Sequence, residues 1–356
     1  MSQLVLTANP DFADLALAEV DAAGVTSLAM EMLEPGVYLL DLAEAFWDLA
    51  EHWRSHPPMF VRHICPVQRT VPLQKSDADL PALSAAVRAE FGDLLEPQLS
   101  FSVQSRTLCE LPYKRFDINN SLAAALHEAT AAPLDVRAPV QILSVVCAEV
   151  ALDEHTDTHN NTSQAVALVG LSLASQNLSD WAGGMRRFAR EPEQVSRAEF
   201  KLLEALEVFQ ITLPPRGVAL DLGAAPGGWT RVLRGLDQYV TAVDPAELDP
   251  RVKADRSVRH KRITAEAYLA DEPDTFDVIV NDIRMDARDS ARLMHAYARQ
   301  LYADGLALVT LKLPGQNRQS ILNEALQILA HAYQIRGVRQ LFHNRSEVTV
   351  YLVPKN

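Results

Sequence analysis

The stretch from Gly217 to Trp229, Gly-Val-Ala-Leu-Asp-Leu-Gly-Ala-Ala-Pro-Gly-Gly-Trp, constrains this chain more than any other. Val218 to Leu222 is a short apolar run closed by turn residues, so it reads as a buried strand. Gly223, Pro226, Gly227 and Gly228 then make a loop. Trp229 to Leu236 starts a helix with Trp229, Val232, Leu233 and Leu236 on one face. Strand, glycine loop and helix in this order let a backbone approach a nucleotide-like ligand closely. Beyond them, Tyr239 to Val243 is a second strand ending in Asp244, and a carboxylate at a strand tip can accept both hydroxyls of a ribose.

The spacing of the loop separates two kinds of ligand. A dinucleotide fingerprint reads G-x-G-x-x-G and holds a tight turn against a pyrophosphate. Here the order is Asp221-x-Gly223-x-x-Pro226-Gly227-Gly228. Asp221 beside the loop suits a ligand with a positive group, such as an amino-acid ammonium. The combination resembles motif I of S-adenosylmethionine-dependent methyltransferases. The plainer alternative is a glycine-rich turn in an unspecialised α/β domain.

A length of 356 residues suffices for two or three domains, and 48% hydrophobic content supports real cores. The first residues lack the basic start and long apolar run of a signal peptide, and no stretch reaches membrane-spanning length. Cys65, Cys109 and Cys147 are odd in number and widely spaced. They suggest neither a metal site nor a disulfide framework, which fits a reducing cytoplasm. A net charge of -13 looks unsuited to a nucleic-acid partner, but it is unevenly spread. Residues 1–98 hold 5 Lys/Arg against 15 Asp/Glu, whereas residues 191–356 hold 21 against 22. Phosphate contacts depend on local basic surface rather than on the whole-chain sum. Basic clusters occur at Lys114-Arg115, at Arg186-Arg187 with Arg190, and from Arg251 to Arg262, although any one of these is more often a solvated face.

Along the chain, Gln3 to Thr7 and Val37 to Leu42 read as strands. Asp11 to Ala23, Leu42 to Arg54 and Leu80 to Phe91 read as helices, with Phe60 to Pro72 extended. Leu99 to Arg106 alternates apolar and polar residues, which predicts a half-buried strand. Asp117 to Ala131 is a helix, and Gln141 to Val150 pairs with Gln164 to Ser172 around a polar turn from Asp153 to Ser163. Strand, basic loop, helix and two strands resemble the THUMP module, an RNA-binding domain of tRNA- and rRNA-modifying enzymes. An unspecified α+β domain explains the same pattern.

Ser175 to Glu193 reads as a linker, and at Ser196 the pattern changes. Ser196 caps a helix with Glu199 at the capping-box position. The alternation of a doubly wound α/β domain follows, with strands at Val218–Leu222, Tyr239–Val243, His260–Ile263, Phe276–Asp282, Leu306–Leu311 and Glu347–Val353. Helices include Ser290–Tyr302 and Ser320–Tyr333. The expected division is an α+β, ferredoxin-like domain at 1–75, a THUMP-like domain at 76–175, a linker at 176–194, and a Rossmann-like methyltransferase domain at 195–356.

Three further strands carry charge at their ends: Asp282, Lys312 and Glu347. In an open parallel sheet, ligands bind outside the carboxyl ends of the strands, so Asp282 and Lys312 belong beside the glycine loop. Lys201, on the entering helix, reaches the same rim. The pieces Ser196-Arg-x-x-x-Lys201, Asp221-Leu-Gly-x-x-Pro-Gly-Gly-Trp229, Asn281-Asp282, Leu311-Lys312-Leu-Pro314 and Arg345-x-Glu347-Val-Thr occur in this order. Together they resemble the 2′-O-ribose RNA methyltransferases that use a Lys-Asp-Lys-Glu tetrad. The amino-terminal extension and the Lys312-Leu-Pro and Glu347-Val-Thr-Val sequences narrow this to bacterial large-subunit (23S) rRNA cytidine-2′-O-methyltransferases.

The resemblance implies Lys201, Asp282, Lys312 and Glu347 as catalytic residues, with Lys312 the general base. It implies S-adenosylmethionine as cofactor, 23S rRNA as partner, and no metal. Ser196, Asp221, Gly223, Ala225, Pro226, Gly227, Gly228 and Trp229 would surround the cofactor. Asp244 would hold its ribose, Glu266 its adenine amine, and Asp282 its methionine part. Glu266 stands where the family usually has Asp. The residue types suit the reaction. A ribose 2′-hydroxyl is a poor nucleophile, so alignment and a proton acceptor are what the protein must supply. Lysine accepts a proton only when its pKa is lowered, which a second ammonium such as Lys201 would favour. A tetrad that orients the hydroxyl and stabilises developing charge is the other reading. A small-molecule O-methyltransferase would not need Lys201, Glu347 or the long extension, and a non-catalytic RNA-binding protein would not need Lys312 and Asp282.

Overall fold

A computed structural model describes residues 2–151, 163–271, 273–313 and 315–355. Most of the expected turn from Asp153 to Ser163, and Pro314 of the Lys312 motif, lie outside the described residues. The chain forms two compact units, Met1–Met185 and Arg186–Asn356.

The first unit holds two four-stranded sheets. The first sheet is made by β1 (Ser2–Ala8), α1 (Ala13–Ala22), β2 (Ser27–Glu34), β3 (Val37–Leu42), α2 (Phe46–Ser55) and β4 (Val61–Val67). Its order is β2-β3-β1-β4 and every pairing is antiparallel. This is the βαββαβ arrangement of a ferredoxin-like fold. β2 escapes sequence reading because its Leu, Ala, Met and Glu residues are helix formers. Its pairing with β3 overrides that preference.

The second sheet follows, with β5 (Arg69–Pro72), α3 (Asp79–Phe91), β6 (Phe101–Thr107), α4 (Arg115–Thr130), β7 (Gln141–Ala151) and β8 (Ser163–Leu173). Its order is β5-β8-β7-β6, with β6 and β7 parallel. Leu143, Val145 and Cys147 on β7 face a core shared with Leu83 and Leu122 of α3 and α4. Val146, Val166 and Leu168 pack instead with Val5 and Cys65 of the first sheet. β6 is buried on both faces rather than half-buried: Ser102 and Arg106, on its polar face, are 2% and 9% exposed. Arg106 spans to the first sheet, donating to Thr7 Oγ1 at 3.0 Å and Glu34 Oε1 at 2.8 Å, so the polar face meets protein instead of water.

The second unit contains α5 (Glu199–Val208), β9 (Val218–Leu222), α6 (Gly228–Gly235), β10 (Tyr239–Val243), α7 (Pro250–Lys253), β11 (Val258–Lys261) and α8 (Ala265–Ala270). It continues with β12 (Phe276–Asn281), α9 (Ala287–Tyr297), β13 (Leu301–Lys312), α10 (Arg318–Ala330), β14 (Tyr333–Arg339) and β15 (Glu347–Pro354). The sheet order is β11-β10-β9-β12-β13-β15-β14. β9 to β13 pair in parallel, whereas β15 runs antiparallel to both β13 and β14. The domain is thus a Rossmann-like α/β fold with a mixed sheet. Two expected helices are too long. The one predicted over Ser290–Tyr302 ends at Tyr297, because Leu301 already pairs with Phe276. The one predicted to reach Tyr333 ends at Ala330, because Tyr333 pairs with Pro354 and opens β14. The Tyr333 hydroxyl donates to Met294 O at 2.7 Å, which ties that strand start to α9. Leu202, Ala205, Trp229, Val232 and Leu233 cover one face of the central strands. Among the described residues, no helix is long and apolar enough to cross a membrane.

Candidate active site

The glycine loop bends where its backbone demands it. Gly223 has φ 77° and Gly227 φ 112°, in the left-handed region that favours glycine. A Cβ at Gly227 would lie 3.1 Å from Val252, and one at Gly228 would collide with Ser196 Oγ. The loop therefore packs closely on its own domain while its backbone opens α6. The Ala225–Pro226 peptide is cis. Asp244, directly after β10, accepts from Ala225 N at 3.1 Å and Ala246 N at 2.8 Å. Its carboxylate thus holds the glycine loop and its own turn together, and each oxygen retains a further acceptor position.

Asp221 is placed differently from the ligand contact expected of it. It is 1% exposed and accepts from Thr230 Oγ1 at 2.6 Å, so it braces α6 beneath the loop. Burial pushes its carboxyl up to about 7; the Thr230 hydrogen bond opposes this and the Asp282 charge adds to it. Trp229 is likewise 4% exposed, and its indole donates to Ala198 O at 2.7 Å. Ser196 Oγ accepts from Ala198 N at 3.3 Å, and α5 starts at Glu199. The reciprocal half of the predicted cap is present, since Glu199 Oε1 accepts from Ser196 N at 3.1 Å and from Val195 N at 2.6 Å. Glu266 is exposed in the first turn of α8.

Four elements bring the charged side chains together. Lys201 comes from α5, Asp282 follows β12, Lys312 ends β13, and Glu347 begins β15. A residue that begins a strand would fall at the far rim of a parallel sheet. β15 is antiparallel, and its register sets Glu347 opposite Lys312, which returns the carboxylate to the ligand side. Lys201 Nζ lies 3.2 Å from Asp282 Oδ2 and 2.6 Å from Glu347 Oε1. Lys312 Nζ lies 2.6 Å from Asp282 Oδ1 and 3.6 Å from Glu347 Oε2. The side chains of Lys201, Asp282 and Lys312 are each 16% exposed, enough for a substrate to touch them.

Charge balance explains how such a cluster survives partial burial. Burial alone would push the Asp282 carboxyl up, but Lys312 and Lys201 outweigh it and hold the group below its ordinary range. Burial alone would lower Lys201, but Asp282 and Glu347 outweigh it and keep that ammonium charged above its usual range. Sequence reasoning missed Thr310. Its hydroxyl donates to Asp282 Oδ1 at 2.6 Å and accepts from Lys312 Nζ at 2.8 Å. The signal was available, because residues two apart on a strand share a face. Glu204 was also missed. It is 3% exposed and accepts from Phe342 N and His343 N, each at 2.8 Å, securing the loop that leads to Glu347.

Residues 194–323, which carry the glycine loop, Lys201, Asp282 and Lys312, match the FtsJ-like methyltransferase family model. Among curated relatives, the chain is similar to the ribosomal RNA large subunit methyltransferase M of Halorhodospira halophila. The two are 36% identical over 175 residues, 48% of this chain and 50% of the relative. The protein of the same name from Alkalilimnicola ehrlichii is 36% identical over 178 residues, 48% of this chain and 49% of that one. That from Pseudomonas paraeruginosa is 32% identical over 199 residues, 52% of this chain and 54% of that one. The chain spans about half the length of the curated relatives it matches.

Proposed function

We propose that this protein transfers a methyl group from S-adenosylmethionine to the 2′-oxygen of a ribose in RNA. The observation that carries the reading is the convergence of Lys201, Asp282, Lys312 and Glu347 from four separate elements, with ion-pair distances of 2.6 to 3.6 Å. The names of the curated relatives support an rRNA substrate, and the sequence resemblance points to a cytidine of 23S rRNA in the cytoplasm.

The residues at the crevice fit the cofactor. Gly227 and Gly228 keep the loop free of side chains, Asp244 has a partly exposed carboxylate suited to ribose hydroxyls, and the resemblance assigns exposed Glu266 to the adenine amine. S-adenosylmethionine supplies a methyl group already activated on a sulfonium. Among the described residues, no cluster of His, Cys, Asp and Glu has the arrangement of a metal site, and methyl transfer requires none. The protein's work is then positioning and proton management. Once Lys312 has released its own ammonium proton to solvent, the neutral amine at Nζ accepts the proton of the 2′-hydroxyl as that oxygen becomes the nucleophile. Asp282 and Thr310 fix Lys312 through hydrogen bonds of 2.6 and 2.8 Å. Lys201, held between Asp282 and Glu347, keeps the two carboxylates compensated while the proton moves. The first unit serves as the RNA-holding part, with residues 76–175 as its THUMP-like module.

Lys312→Ala tests the reading. Methyl incorporation into rRNA from tritiated S-adenosylmethionine should fall by about 10³-fold or more, as for loss of a positioned proton acceptor, while calorimetry shows cofactor affinity retained. Activity close to wild type would remove Lys312 from the mechanism.

A further inference from the structure

The basic run from Arg251 to Arg262 is not used by the methyl-transfer site. Part of it lines an open cavity of about 510 Å³ at the other rim of the same sheet. Val218, Tyr239 and Phe276 are the first residues of β9, β10 and β12, and Tyr302 is the second of β13. All four line the cavity. Asp244, Asp282 and Lys312 lie at the carboxyl ends of these strands. Five residues of β9 at about 3.3 Å each set the two rims roughly 15 Å apart.

The lining has a specific chemistry. Tyr239 and Tyr302 are 41% and 46% exposed, unusual for rings that could bury themselves in a core. Arg216 donates to the Tyr239 hydroxyl at 2.9 Å and fixes that ring. Arg259 is anchored by Asp274 Oδ2 at 3.0 Å and by Thr241 Oγ1 at 3.4 Å. Arg256 is exposed, and no carboxylate among the described residues pairs with it. Two open aromatic faces beside an uncommitted guanidinium are what a nucleotide requires: a plane to stack on and a cation for the phosphate. The volume lies within the usual range for a small-ligand site.

We propose that this cavity binds a nucleotide of single-stranded RNA, with its base against Tyr239 and Tyr302 and its phosphate on Arg256. The inference rests on the RNA substrate proposed above. It adds a second contact, about one strand length from the ribose to be methylated. An RNA strand would then be held at the amino rim and only aligned at the carboxyl rim, so that its direction across the domain is set before the ribose reaches Lys312. Neither rim alone would set it.

The test uses the full chain and a fluorescein-labelled single-stranded RNA of about twelve nucleotides, within the site size of single-strand binders. Anisotropy titrations at several salt concentrations compare wild type with Tyr302→Ala and Arg256→Ala. Loss of a stacking face should weaken binding about tenfold. Loss of the phosphate contact should weaken it about fivefold and reduce the slope of log affinity against log salt by about 0.7. Cofactor affinity, measured in parallel by calorimetry, should stay within about twofold for both, because the two sites are far apart. Unchanged RNA binding in both variants overturns the cavity site and leaves the proposed function standing. Failure of the wild type to bind the RNA overturns the RNA-substrate reading and this site together. Equal affinity for cytidine monophosphate and for the oligonucleotide overturns a strand as the occupant. Arg256 is exposed at the surface, so its variant remains informative if Tyr302→Ala fails to fold.

Discussion

The two rims of the second unit's sheet are made by the same strands and end in opposite kinds of chemistry. At the carboxyl rim, two lysines and two acids neutralise one another at 16% exposure or less. At the amino rim, Tyr239, Tyr302 and Arg256 are open to water, and Arg256 has no acidic partner among the described residues. A self-compensated cluster offers little net attraction to a distant polyanion. Its strength is preorganisation, the fixed placement of groups at the point where charge develops. An open cation beside exposed rings offers the reverse, affinity without alignment. Substitutions at the first rim should therefore cost rate, and those at the second should cost binding.

The largest effect that would break this separation comes from Asp282→Asn. The change removes the carboxylate shared by Lys201 and Lys312 and leaves both ammonium groups with Glu347 alone. Methyl transfer should fall by about 10³-fold, as expected when a preorganised charge is deleted. Affinity for single-stranded RNA should change less than about threefold, since the RNA contact lies at the other rim. A parallel loss of RNA affinity, read by anisotropy, would mean that the carboxyl rim also holds RNA and that the division is wrong. Thr310→Val sharpens the same point with a smaller effect. It keeps the shape of the side chain and removes the hydroxyl that links Asp282 to Lys312. Its kcat should fall about tenfold with KM nearly constant, the signature of an interaction that matters in the transition state. An equal rise in KM would show that Thr310 supports ground-state binding instead.

Thr310 also shows where sequence reading stops. Asp282 and Lys312 are legible because each stands at the carboxyl end of a strand and such ends form one rim, whereas Lys201 and Glu347 join them through the family resemblance. Thr310 stands inside a strand rich in apolar residues, where a lone hydroxyl looks like filler. Its spacing from Lys312 puts both on one strand face, but the Asp282 carboxylate that joins them follows β12 and comes into view only in the fold. The antiparallel course of β15 is the deeper omission. Read as a sixth parallel strand, it would place Glu347 at the wrong rim. The correct direction depends on β14, whose alternating Tyr-Gln-Ile-Arg-Gly-Val-Arg gives a weak edge-strand signal. Helix ends were blurred for a related reason. Tyr302 and Tyr333 continue an apolar helical spacing, but strand pairing near Leu301 and at Tyr333 takes the backbone away from it. Propensity is local, and these boundaries are decided by partners distant in sequence.

Asp244→Ala addresses the loop between the rim and the cofactor. The side chain accepts from Ala225 N and Ala246 N, and its loss leaves both amides without that partner. Cofactor affinity by calorimetry should drop about tenfold, the size of one or two hydrogen bonds to a charged group. RNA affinity should stay constant. Unchanged cofactor affinity would mean that the carboxylate serves only the turn.

The smallest effect concerns Asp221, which belongs to neither rim and supports one of them from beneath. Its folded value of about 7 lies above the ordinary carboxyl value, so between those two the folded protein binds more protons than the unfolded chain. The sign follows directly. The contribution of Asp221 to stability falls as pH rises across that window and is level above it. A carboxamide in place of this carboxyl would keep an acceptor for Thr230 Oγ1 and has no proton to lose. Asp221→Asn should therefore match wild type in thermal midpoint near pH 4 and exceed it by about 2 °C or more at pH 8. Differential scanning calorimetry across that range separates the outcomes. A difference independent of pH would assign the effect to packing under the glycine loop, and buried charge would then have no part in setting how firmly the carboxyl rim is held.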